Sequence, residues 1–141
     1  MKLEEEDKSF EQNSILENEF KIMTLFIDNA KTYTQLAGAG LALSVVFIQQ
    51  VFGLKPGVPM PLDKTLVASW ACFLLSIGAG VYYQYLAVKY LEVKAKVDCD
   101  HFSWPKSLIE HPYPVYLTMI LTFYAGAVLF TIDAIKRLSY V

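Results

Sequence analysis

Three long apolar stretches set the pattern of the chain. Residues 32–54, 65–88 and 112–132 run for 23, 24 and 21 residues without a formal charge. At about 1.5 Å of rise per residue, each is long enough as an α-helix to cross the roughly 30 Å hydrocarbon core of a bilayer. The pattern predicts an all-α integral membrane protein with three transmembrane helices, joined by an outer loop at 55–64 and a cytoplasmic loop at 89–111, and ending in a short outer tail at 133–141.

Ahead of the first span, residues 14–31 are amphipathic. Leu16, Phe20, Met23, Ile27 and Ala30 recur at 4-3-4-3 spacing with charged residues between them, a heptad-like seam. The same count continues into the span through Thr34, Ala37, Leu41, Ser44 and Ile48, and no proline or helix-ending glycine intervenes. The pattern therefore predicts one helix of about 40 residues, roughly 60 Å long, with its first half extended into the cytoplasm. Residues 1–13 are acidic and poor in apolar side chains and are expected to form a mobile tail.

Inside the span the seam turns to small residues, with Gly38 and Gly40 beside it. In lipid, small residues let helix backbones approach and make dispersion contacts. Two destinations for this seam stay open. It packs on the other two spans, or it surrounds the axis of a homo-oligomer, where Thr34, Ala37, Leu41, Ser44 and Ile48 line a narrow pathway closed by dewetting at Leu41 and Ile48. Leu16, Phe20, Met23 and Ile27 are the matching candidates for an amino-terminal gating or oligomer contact, because an apolar stripe in water requires a partner. The second span offers a complementary small-residue step at 76–80, and Asp63 is placed to cap it. Asp133 stands three and four residues before Lys136 and Arg137, the spacing of an ion pair on one helix face.

Charge orients the bundle. The amino-terminal arm and the second loop carry eight lysines, against four Lys and Arg in the first loop and the tail. The positive-inside rule puts the amino terminus in the cytoplasm and the carboxyl terminus outside, in a multi-pass protein of the cell inner (plasma) membrane in contact with lipid. The arm's acidity and its length before the first span argue against a cleaved signal peptide. Cys72 and Cys99 have no paired spacing.

The second loop is chemically the richest segment. Residues 89–97 read as a helical extension of the second span, and Lys89, Lys96 and Lys106 are available to an anion, with Trp104, Phe102 or Tyr90 to stack a base. This makes an anionic nucleotide or single-stranded oligonucleotide a candidate ligand; the competing reading is an interfacial segment whose lysines meet lipid phosphates. Asp98, Cys99, Asp100, His101 and His111 match no zinc spacing, so no metal is expected. No cofactor and no enzymatic activity are expected either, since nucleotide, hydrolase and zinc-protease motifs are missing. The middle third of each span lacks an ionisable residue, which disfavours a proton relay, voltage sensor or coupled transporter.

In general build, with the amphipathic arm at 14–31, three compact spans and the lysine-bearing loop at 89–106, the chain resembles the small multi-pass membrane effectors of bacterial anti-phage systems. Holins share its size and span count. The resemblance implies a gated channel that depolarises the host membrane, controlled by a companion signalling enzyme. From a different class comes the alternative of a non-conducting scaffold or adaptor whose arm recruits a cytoplasmic partner.

Overall fold

The structure, a computed structural model, describes residues 2–51, 62–94 and 111–139, with side chains of the first segment described from residue 13 to residue 50. The described residues form three helices: α1 (Lys2–Val51), α2 (Lys64–Lys94) and α3 (Tyr113–Ser139). At about 1.5 Å per residue they are roughly 75, 46 and 40 Å long. Two of them, α2 and α3, are long and apolar enough to cross a membrane.

α1 is a single helix of 50 residues. The unbroken run from arm to bundle follows from the same absence of proline and helix-ending glycine noted above. The helix also starts earlier than expected: the acidic segment read as a mobile tail is helical from Lys2. Its sequence begins with Glu4, Glu5 and Glu6, acids that favour a helix amino terminus by opposing the positive end of the backbone dipole. α2 continues past Val88 to Lys94, as the extension of the second span predicts. α3 runs through most of the tail, to Ser139.

Helix starts are set locally. The Asp63 carbonyl accepts from the Val67 amide at 3.1 Å, and its carboxylate accepts from the Lys64 amide at 2.7 Å and the Thr65 hydroxyl at 3.0 Å. Asp63 is thus the cap of α2. Pro112 and Pro114 flank the first residue of α3, where the missing amides cost no intrahelical bond.

The bundle buries a few polar side chains within an apolar core that includes Leu66, Phe73, Leu86 and Met119, and its outer surface is also apolar. Ser44, Ser69, Ser76 and Asp133 are among its buried residues, while Leu74, Leu75, Val81, Leu121, Val128 and Ile132 are exposed. That apolar exterior suits lipid as the surrounding solvent and would leave a large apolar patch in water. α2 and α3 are clamped by three hydroxyl hooks on one face of α2. Ser69 Oγ donates to the Gly126 carbonyl at 2.8 Å, Ser76 Oγ to the Met119 carbonyl at 2.9 Å, and Thr65 Oγ1 contacts Asp133 Oδ1 at 2.9 Å. Asp133 is held from the other side by Arg137 Nε at 2.7 Å, which is the i to i+4 pair that the spacing predicts. Among the described residues, no buried side-chain nitrogen or oxygen lacks a hydrogen-bond partner.

α1 joins this pair mainly through α2 and touches α3 less. Close approach is the means. A Cβ on Gly80 would collide with Thr34 Oγ1 and come within 3.1 Å of Met119 Sδ. The Phe73 ring lies where Cβ atoms on Gly40 of α1 and Gly126 of α3 would meet it at 3.2 and 3.1 Å.

Gly80→Val is expected to destabilise the bundle by about 1–3 kcal/mol through overpacking. Gly78→Ala is the contrast, because its Cβ meets nothing within 4 Å, and it should be neutral or gain up to about 1 kcal/mol in helix propensity. Denaturant unfolding in detergent micelles, followed by circular dichroism, separates the two; equal midpoints would contradict the packing.

Candidate functional site

Below the level where α3 begins, α1 and α2 continue side by side as a two-helix stalk. A cavity of about 310 Å³ opens where the stalk meets the start of α3, near the lower size limit of small-molecule sites. Met23 and Phe26 of α1 and Tyr83 of α2 wall it, with Glu19, Tyr90 and His111 among its other lining residues.

Aromatic packing holds that wall. The Phe26 and Tyr116 rings meet edge to face at 5.1 Å between centroids, and Tyr83 lies 5.1 Å from Tyr116 in a tilted contact. Tyr83 Oη donates to Met23 Sδ at 3.8 Å, a weak bond to a polarisable acceptor. The α1 residues reach this wall because Met23, Phe26 and Ala30 recur at 3 and 4, so one helix face brings all three against α2 and α3.

A cross-helix ion pair marks the rim. Lys94 Nζ contacts Glu19 Oε2 at 3.2 Å and stands 5.7 Å from the centre of the Tyr90 ring. The Glu19 carboxylate is the first cause that raises the Lys94 ammonium above its ordinary pKa. Since the pair is solvent-exposed, it fixes register between the helices more than it contributes stability. The described cavity is therefore lined largely by aromatic and apolar side chains, with a balanced charge pair at its edge.

Of the residues proposed for an anion, Lys89 is in place on α2 and pairs with Glu92 Oε2 at 2.7 Å. Lys96, Trp104 and Lys106 lie outside the described residues, as do Phe102 and the sequence 98–101. Tyr90, the remaining stacking candidate, does line the cavity.

The predicted seam is brought together, but within one chain. Ala37, Ser44 and Ile48 are fully buried, and Thr34 and Leu41 are half-buried. Ser44 accepts from Trp70 Nε1 of α2 at 2.8 Å, and Thr34 Oγ1 faces Gly80. Its continuation toward the amino terminus behaves alike: Met23 and Ile27 pack on the core formed with Tyr83, Ala87, Tyr116 and Met119, Leu16 is half-buried, and Phe20 is 40% exposed. Of the two destinations left open by periodicity, intramolecular packing takes this face. The physical reason is the small side chains themselves, which let α1 settle against α2 at Gly80 and Phe73.

Sequence reasoning missed the serine hooks and the Glu19–Lys94 pair. Thr65, Ser69 and Ser76 do fall on one face of α2, at steps of 4 and 7, which is the signal that marks the hooks.

No protein-family model, curated protein or solved structure matches the chain.

The Asp63 cap has a defined pH response. Its carboxyl is held below its ordinary pKa by the Thr65 hydroxyl first and the Lys64 amide second, with Lys136 and Arg137 adding smaller effects. A depressed folded-state pKa means that the cap is fully formed above the ordinary value of 3.8 and is lost as pH falls through the lower one. Amide-exchange protection at the start of α2, measured by NMR, should persist down to that ordinary value. Loss of protection above it would refute the cap.

Proposed function

We propose that the chain is a three-span subunit of an oligomeric membrane pore, with its amino terminus in the cytoplasm and its carboxyl terminus outside, gated from the stalk. The observation that carries this reading is the continuity of α1: the same rigid helix forms one wall of the stalk cavity and one third of the bundle. α2 and α3 are tied by hydrogen bonds along their length, whereas α1 is held chiefly by packing on α2. A ligand or partner that binds one position of the stalk better than another shifts α1 relative to the α2–α3 platform, and differential affinity is the whole thermodynamic requirement.

The conducting path runs between protomers, because the seam of α1 that faces inward is filled by its own chain. Outward of the buried seam, α1 carries Thr32 and Gln35 toward one end of the span and Gln49 and Gln50 toward the other, with Leu36, Leu43, Val45 and Val46 exposed between them. Polar mouths and an apolar middle make a gate that opens by wetting. A pore of this kind dissipates the membrane potential, the activity implied by the likeness in build to depolarising effectors. An anionic nucleotide or oligonucleotide bound by the second loop, and supplied by a companion enzyme, is the gating signal this reading favours.

Burial of the predicted seam equally favours a second reading, a non-conducting scaffold that offers its stalk to a cytoplasmic partner. Purified full-length protein in planar bilayers decides between them. Discrete current steps whose open probability changes with Glu19→Lys, which breaks the stalk pair, are the expected result; silence with confirmed insertion leaves the scaffold.

A further inference from the structure

α1 presents a second heptad on the face it turns away from its own bundle. Ile15, Ile22, Leu25, Leu36, Leu43 and Val46 fall on the a and d positions of one seven-residue repeat, and all are exposed, Leu25 and Leu43 to 65% each, with Ile22 at the edge where it also lines the stalk cavity. The a and d steps between them carry Asn18, Asn29, Thr32 and Ala39, also exposed. Three stripes thus divide the helix: a buried face, this apolar face, and a charged one holding the Glu17–Lys21 and Asp28–Lys31 pairs. We infer that the second heptad is the surface through which α1 associates with α1 of further copies of this chain, parallel and in register.

The occupant is specified by several properties of the face. It is 36 residues long from Ile15 to Gln50, and it passes from the stalk, where α1 pairs with the end of α2, into the level of the bundle. A partner that covers it must make the same passage from water to lipid at the same height, and α1 itself does so. Copies of one chain insert with one orientation, so their α1 helices run parallel. Between Ile15 and Gln50 no charged residue occupies an a or d position, so like copies meet there without like-charge repulsion. Asn18 and Asn29 would face their own counterparts at equal height, where the amide side chains pair with themselves and penalise a shifted register.

The area suffices. A strip about 54 Å long, with helices spaced about 8–10 Å apart, gives roughly 500 Å² on each side and about 1,000 Å² for a pair, the threshold for a specific interface. A strict seven-residue repeat sustained over this length also asks for left-handed supercoiling, which is how parallel helices keep a seam in contact.

This inference needs the three-span reading for its membrane half, and it holds whether or not the assembly conducts. The test is thiol cross-linking of full-length protein in liposomes with a short bismaleimide, in a Cys72→Ser, Cys99→Ser background of unchanged helicity. Ile22→Cys, Leu25→Cys and Asn29→Cys should convert to covalent dimer, while Thr24→Cys and Lys31→Cys on the charged stripe remain monomeric. Independently, Ile15→Asp with Leu25→Asp should shift the particle mass in detergent to that of the monomer, and Thr24→Asp should leave it unchanged. Equal cross-linking at both stripes, or a monomeric parent protein, overturns the inference. Current without seam cross-links overturns it while keeping the pore; seam cross-links without current uphold it and remove the pore.

Discussion

The Phe73 ring sits between two glycines, Gly40 of α1 and Gly126 of α3, and the spacing of the three helices depends on that arrangement. With lipid outside, burying apolar area no longer drives helices together, so association rests on backbone proximity and on hydrogen bonds that have no water to compete with them. One large ring flanked by two absent side chains satisfies the first requirement. Ser69 and Ser76, which reach across to backbone carbonyls of α3 a few residues away, satisfy the second. The ring sets how near α1 and α3 can come, and the hydroxyls fix the register of α2 on α3.

From this follows a division of labour. The α2 and α3 pair is locked by directional bonds from Thr65 at one end to Ser76 near the middle, and the buried Asp133 ties the Thr65 end through Thr65 and Arg137. α1 lies on that platform largely by shape, with Thr34 fitted to Gly80 and hydrogen bonds from Trp70, Tyr83 and Lys94 of α2. Shape complementarity without a dense bond network permits sliding by small steps, as in shear motions of packed helices. The stalk cavity, lined by both α1 and α2, is where such sliding would be felt first.

Much of the architecture was legible in the chain because length and hydropathy dominate in helices of this kind. The continuity of α1, the extension of α2 to Lys94 and the Asp133–Arg137 pair all follow from local rules of spacing and capping. The direction of α1's faces was not legible. Two seven-residue repeats coexist on it, one through Ala30, Ala37 and Ser44 and one through Ile15, Ile22 and Leu36, and periodicity alone cannot rank them. What ranks them is contact: the smaller residues admit α2 closely at Gly80, and the larger ones are left outside. The aromatic wall of the cavity was illegible for a related reason, since Phe26, Tyr83 and Tyr116 are far apart in sequence and meet only when three helices converge.

Trp70 gives the molecule its own optical gauge. Its indole nitrogen, part of α2, donates across the helix interface to Ser44 of α1, and the chain has just one other tryptophan, Trp104. An indole that loses a hydrogen bond in an apolar surrounding shifts its emission to shorter wavelength, whereas one that gains water shifts to longer. With Trp104 replaced by phenylalanine, the colour of that emission therefore distinguishes α1 parting dry from α1 parting to admit water, without an added label and as the event occurs.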